Sequence, residues 1–433
     1  MLSTRYNYRH RLKKINNIVK DIYTKGFFHL FSANALIHLI EFGSQMLVAG
    51  ILLADDFGRI KSLQTFAAVG VIIAGLGFNT SILKLCSERN TSQEEKQNLF
   101  TAAFKSTLFF SCVTLILGIL LSYFNLISKD ILTNNLFTYY CLTIPLLALN
   151  NLLIAYYQAL KKFKEVSVLL IVARIIHVLV IIILSYFFGL KGFIVGIIIG
   201  FFITTLILVT KTKFISSWKT ASREHFIKNW NLAKFAFSGN IIHTISLYLD
   251  VFFLNHMVND PKELGLYGFA LTLISGLRIV TYTAQQFVTP FYSEFSSDDK
   301  QILKAFKKSN FIFRATIVVV GSLALIIVPI LIHYLFSGKW DDSMYYFQVL
   351  TVSWGIISWV SLKGPFLLAI NRLKVTFKMA VVIFLLTTGP YWYVVKIYQM
   401  DGVLYGQVFV SVVALLVVNI GFRRVIKKTF NKL

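Results

Sequence analysis

The chain has 433 residues, of which 56% are hydrophobic, 14% charged and 15% aromatic, with a formal net charge of +24. An ordinary soluble domain carries about 25% charged residues and cannot hide this much apolar surface, so composition excludes a water-soluble enzyme and a disordered chain. With a mean hydropathy of +0.70, this is the composition of a multi-pass membrane protein.

In chain order, apolar stretches long enough to cross about 30 Å of hydrocarbon are expected as helices at 27–54, 60–84, 104–124, 136–159, 166–188, 192–210, 234–257, 265–293, 311–335, 343–370, 375–395 and 402–422. That makes twelve spans, with two tails and short connections. No connection is long enough to fold into a catalytic domain, so any function must be built from the helices. The expected organisation is a basic cytoplasmic N-tail (1–26), a six-helix lobe (27–213), a cytoplasmic linker (214–233), a second six-helix lobe (234–422) and a basic C-tail (423–433). The N-tail lacks the short apolar core and small-residue cleavage site of a signal peptide, and is expected to be retained.

The charge follows this topology. With the N-terminus inside, the inner segments hold 33 Lys and Arg, and the opposite turns hold 7. Three more, Arg174, Arg278 and Lys363, fall within spans, as do the acids Glu41 and Asp250. The alternation holds at every connection and puts both termini in the cytoplasm. The basic excess is therefore a topology signal, and no nucleic-acid partner is expected. Cys86, Cys112 and Cys141 show no metal-ligand spacing and are read as packing residues.

The chain repeats itself. Asp55-Asp56-Phe57-Gly58 corresponds to Lys262-Glu263-Leu264-Gly265, Ala159-Leu160-Lys161-Lys162 to Ala369-Ile370-Asn371-Arg372, and Gly192-Phe193-Ile194-Val195-Gly196 to Gly402-Val403-Leu404-Tyr405-Gly406, at offsets of 207 to 210. Six helices is an even number, so both halves enter from one side and the symmetry axis runs along the membrane normal. The GxxxG openings permit close helix contact.

Several of these motifs carry a resemblance. Gln45, Leu53-Ala54-Asp55-Asp56-Phe57-Gly58 and Gly75-Leu76-Gly77-Phe78-Asn79-Thr80-Ser81 resemble the first helical hairpin of Wzx-type polysaccharide flippases of the MOP exporter superfamily. Phe235 to Glu294, with Asp250, Gly265-Leu266-Tyr267-Gly268-Phe269-Ala270 and Pro290, is similar to the matching hairpin of their second half. Gln158-Ala159-Leu160-Lys161-Lys162-Phe163-Lys164 resembles their basic turn after helix four. The resemblance implies an all-α, MATE-like membrane fold of twelve helices in two pseudo-symmetric lobes around a central cavity. It also implies movement of an undecaprenyl-pyrophosphate-linked oligosaccharide, such as an O-antigen unit, to the periplasmic leaflet of a bacterial inner membrane. The cavity would be cationic and lined by helices one, two, seven and eight. Polymerase and chain-length proteins of the same pathway would be partners, alongside membrane lipid.

The polar positions point to the same helices. Asn34, His38, Glu41 and Gln45 share one face of span one; Ser275, Arg278, Tyr282, Gln285 and Thr289 share one face of span eight; Asn240, His243 and Asp250 recur on span seven. Such stripes are costly against lipid and should face protein or water. Glu41 and Arg278 are expected at similar depth, facing each other across the lobes. Arg278, helped by Lys363 and Arg174, is expected to attract the pyrophosphate, with Gln45, Asn34, Tyr282 and Gln285 lining the headgroup cavity. No cofactor is expected. A proton or Na⁺ is the candidate coupling ion, at Asp250, Glu41, His38 or His243.

Neither GxxxxGK[ST] nor HExxH nor GxSxG occurs, so neither ATP hydrolysis nor hydrolase chemistry is expected in this chain. Two further classes remain beside the flippase. An ion-coupled drug or cation antiporter would have a carboxylate-dominated cavity; a glycan polymerase or ligase would need a large periplasmic segment.

Overall fold

A computed structural model describes residues 27–88, 91–210, 222–258, 260–294 and 299–430. The N-tail, 211–221 of the linker region and the last three residues lie outside them. Among the described residues there are thirteen helices and no strand. They are α1 (Phe27–Ile51), α2 (Ala54–Gly75), α3 (Phe78–Leu85), α4 (Gln93–Tyr123), α5 (Ile131–Tyr140), α6 (Thr143–Ala159) and α7 (Phe163–Thr210) in the first half. The second half contains α8 (Arg223–Met257), α9 (Pro261–Glu294), α10 (Asp299–Phe336), α11 (Ser343–Ser358), α12 (Lys363–Ala369) and α13 (Leu373–Phe430).

Eight stretches of helix are long and apolar enough to cross a membrane. Two of them, α7 and α13, are hairpins that reverse at Gly189 and Gln399, where the backbone leaves helical geometry. A Cβ on Gly196 would run into the backbone of Ile181, and one on Gly406 into the ring of Tyr391, so each arm lies directly on the arm before it. The GxxxG openings thus bring consecutive spans together, as close helix approach requires. The bent pair α5 and α6, inclined by 43°, makes one broken span, and α1 completes the set of twelve crossings. An even number of crossings leaves Phe27 and Phe430 at one end of the bundle, the tail end; the turns after α1, α4, α8 and α10 lie at the far end.

The two halves repeat at the level of backbone. Left-handed residues terminate or reverse helices at Lys161 and Asn371, and at Gly189 and Gln399, each pair 210 residues apart; Asn125 and Ser337 are 212 apart. Local chemistry sets several helix starts. Ser92 caps α4 by accepting from the Glu95 N–H at 3.1 Å, and Asp130 caps α5 by accepting from the Thr133 N–H at 3.2 Å.

Span two departs from its sequence pattern. It begins at Ala54, with Asp55 and Asp56 in its first turn rather than in a loop, where carboxylates complement the positive end of the helix dipole. It then breaks at Leu76 and Gly77, two successive left-handed residues. A Cβ on Gly77 would meet the Ala233 carbonyl and the Phe237 amide, so the break lets α8 cross at backbone distance. The early start sets Lys61 two turns inside the helix rather than at its first turn.

Candidate functional site

The halves meet chiefly where α2 lies against α9 and α8. Near the far end the α2–α9 crossing is backbone on backbone: a Cβ on Gly58 would collide with the Pro261 carbonyl and the Gly265 amide, and one on Gly265 with the Ala54 carbonyl. Beside it Phe57, Phe269 and Trp340 form a buried aromatic plug, with Phe269 stacked on Trp340 at 4.3 Å and Phe57 edge-on to Trp340 at 5.5 Å. Ser62 donates to the side-chain carbonyl of Asn255 at 2.6 Å. The Trp340 indole donates to the Ala49 carbonyl at 3.2 Å, and Lys339 donates to the Leu52 carbonyl at 2.5 Å. Apart from the Phe269–Trp340 stack, which lies within the second half, these contacts join first-half to second-half residues, so the far end is shut.

Just outside this seal is a cavity of about 310 Å³ lined by Arg59, Ser62, Asp130, Thr133, Asn255 and Pro261. Arg59 donates to Asp130 at 2.9 Å and to Asp56 at 3.1 Å. Partial burial alone would raise the pKa of the Asp130 carboxyl, but the hydrogen bonds from Thr133 and Arg59 outweigh that and hold it below the ordinary value.

Deeper in, the stem of Lys61 lies on Gly268, where a Cβ would displace it. Its ammonium donates to the Gln45 side-chain carbonyl at 2.7 Å, which also accepts from Thr272 at 3.1 Å. Lys61 makes no ion pair among the described residues. Span one, span two and span eight thus share one polar knot built around an uncompensated cation.

Spans one and eight meet at the level of Glu41 and Arg278, where Gly276 lies against Phe42 and His38 beside Tyr282. The Glu41 carboxylate is nevertheless taken within its own half: it forms an ion pair with Arg174 of α7 and accepts from His38 at 3.3 Å, because span one packs on the α7 hairpin that carries Arg174. The three side chains are 26% to 40% exposed, and Tyr282 of α9, whose ring lies 6.2 Å from that of His38, is 44% exposed. Charged groups at this depth are costly against acyl chains, so the surface shared by spans one and eight is the candidate wet crevice. Arg174 and His177 also line a cavity of about 210 Å³ within the first half, with Asn150, Asn151 and Gln158.

The second half holds a matching cavity of about 230 Å³, lined by His243, Ser246, Arg278, Ser353, Gln407 and Ser411. Arg278 has no hydrogen bond or ion pair among the described residues, so it is a second cation without a carboxylate in contact. Asp250 is 1% exposed and closed off by its own partners. Tyr267 donates to it at 2.6 Å, Gln407 at 2.9 Å, and the Val251 amide at 2.8 Å.

The remaining expected positions scatter. Lys363 donates to Asn419 and sits 5.0 Å from the Phe422 ring centroid, inside the second half near the tail end. Gln285 donates to the Ser361 carbonyl at 3.3 Å, so the polar stripe of span eight divides between span ten and the crevice. The side chain of Asn34 lies outside the described residues. Sequence reading missed Lys61, which belongs to none of the polar stripes, and it missed Gln407, an amide that nothing in its local pattern distinguishes.

Residues 47–345 match the family described as "Polysaccharide biosynthesis protein". Among solved structures, the chain is similar to an inward-facing multidrug resistance MATE family transporter of the MOP superfamily, with TM-score 0.69, 13% identity, and 92% and 96% of the two chains covered. It is similar to the lipid II flippase MurJ in an inward closed conformation, with TM-score 0.71, 16% identity and coverage of 91% and 87%. A MOP superfamily transporter from Pyrococcus furiosus, whose binding pocket is described as having reverse polarity, gives TM-score 0.61, 14% identity and coverage of 92% and 96%. No curated protein matches the sequence significantly.

Proposed function

The chain belongs to the polysaccharide biosynthesis protein family of the MOP superfamily, a membrane transporter rather than an enzyme, and we propose that it flips undecaprenyl-pyrophosphate-linked oligosaccharide units, O antigen or a related surface polysaccharide, from the cytoplasmic to the periplasmic leaflet of a bacterial inner membrane. Both termini are then cytoplasmic, and the shut far end faces the periplasm.

One observation carries the reading. Among the described residues the interior holds cations with no carboxylate in contact, Lys61, Arg278 and, towards the tail end, Lys363, whereas Glu41 is neutralised by Arg174 and Asp250 is enclosed by hydrogen-bond donors. A pyrophosphate entering the crevice between spans one and eight meets positive potential in a medium of low dielectric, where attraction is stronger than in water. The polar head follows the crevice while the prenyl tail stays in the bilayer, since burying a long chain in a polar cavity gains nothing over lipid. Rocking that parts the halves at the Gly58 and Gly265 crossing opens the far end and releases the head. Asp250 is the candidate site for a coupling proton or Na⁺, and Lys363, Gln45, Tyr282 and Gln285 are supporting contacts for the head. Polymerase and chain-length proteins of the pathway receive the unit.

Deleting the gene tests this directly. Lipid-linked repeat units should accumulate in the cytoplasmic leaflet while surface polysaccharide disappears, and expression of the chain should restore both. Normal surface polysaccharide together with loss of export of small cationic compounds would replace the flippase by a drug or cation antiporter.

A further inference from the structure

A further cavity lies away from the crevice. It is a groove of about 660 Å³ between the two arms of α13, walled by Met379 and Val382 on one arm and Val417 and Ile420 on the other. Gly421 forms its floor: a Cβ there would press into the Met379 side chain, so the arms touch at that level. The walls open outward, Val382 being 43% and Ile420 52% exposed.

Every charged residue on its tail-end rim is basic. Lys378, Arg424, Lys427 and Lys428 line it, and none of the four is ion-paired among the described residues. From Leu373 to Phe430 the chain contains one acid, Asp401, at the opposite end of the hairpin. Four cations on the rim of an apolar slot complement a ligand with an anionic head and a hydrocarbon body.

We propose that this groove binds an anionic glycerophospholipid of the tail-end leaflet, its phosphate among Arg424, Lys427, Lys428 and Lys378 and an acyl chain between the arms of α13. The occupant is a resident lipid rather than cargo because α13 packs on α8, α11 and α12, all of its own half. The helix also separates the two: Asn419 and Phe422 face inward to Lys363, while Ile420 and Arg424 face the groove. A soluble phosphate would engage the rim but not the walls. The inference rests on the membrane location of the chain and not on what it transports.

Native mass spectrometry of the full chain, delipidated in detergent and titrated with phosphatidylglycerol or phosphatidylcholine, tests it. Phosphatidylglycerol should be retained selectively. Each surface cation near an anionic lipid contributes about fivefold to its affinity, so Lys427→Gln with Lys428→Gln should weaken retention about twenty-five-fold. Val417→Trp fills the slot while keeping every charge, and should also abolish selective retention; circular dichroism of each variant reports that it is folded. Equal retention of both lipids, unchanged retention in either variant, displacement by undecaprenyl phosphate at equimolar level, or a dimer that disappears in Val417→Trp would each overturn the assignment.

Discussion

Lys339 caps the helix that ends beside Leu52, from the other half of the molecule. Its ammonium donates to the Leu52 carbonyl at 2.5 Å and to the Ala49 carbonyl at 2.9 Å, at the point where α1 runs out of internal partners. The last carbonyls of a helix are unsatisfied and carry the negative end of its dipole, so a cation there is favourable, by about 1 kcal/mol at an exposed position. Because cap and helix belong to different halves, this energy counts toward far-end closure rather than toward the stability of either half.

Lys339→Met should therefore favour the open far end about fivefold, from that 1 kcal/mol. A Leu264→Cys reporter in a background with Cys86, Cys112 and Cys141 replaced by Ser should react correspondingly faster with a membrane-impermeant maleimide. An unchanged labelling rate would show that the cap does not hold the gate.

Lys61 gives a prediction in which stability and activity move in opposite directions. A buried ammonium without a counter-charge is unfavourable, so Lys61→Met should leave thermal stability unchanged or raise it. Transport, read as rescue of surface polysaccharide, should fall at least tenfold, and Lys61→Arg should retain part of it. Full activity of the Met variant would remove Lys61 from the headgroup path.

For Glu41 and Arg174 the expectation is coupling. Glu41→Gln strands the guanidinium, and the double variant with Arg174→Gln should recover part of the lost stability. With both side chains partly exposed, the coupling energy should be about 1 kcal/mol. Additive effects on the unfolding temperature would mean that the ion pair holds nothing together.

Asp130 makes the first half acid-sensitive, since its partners Arg59 and Thr133 belong to that half. Its folded pKa is depressed, so its contribution is fully present above the unfolded value, about 3.9, and is lost as pH falls through the lower folded value. The unfolding temperature should fall below about pH 4, and Asp130→Asn should lower it at neutral pH while weakening that acid dependence. An unfolding temperature equal at pH 3 and pH 7 would count against it.

Much of this protein was legible without coordinates. Spans as apolar as those in α7 and α10 have no stable place outside a membrane, so their existence follows from local composition. The repeat was visible because both halves need the same turn chemistry, and the left-handed positions Lys161 and Asn371 fall inside the motifs that revealed it. Boundaries were less secure: a helix can begin with acids such as Asp55 and Asp56, which read as a loop until their place in the first turn is seen.

Pairing was another matter. Glu41 meets Arg174 across 133 positions of sequence and Gln407 meets Asp250 across 157, and nothing within a helical period specifies which of several distant polar groups arrives first. Apolar periodicity is a property of neighbouring residues, so the chain by itself determines that it crosses the bilayer and repeats. Charge pairing is decided by how helices pack, and only the tertiary structure separates neutralised groups such as Arg174 from uncompensated ones such as Lys61 and Arg278.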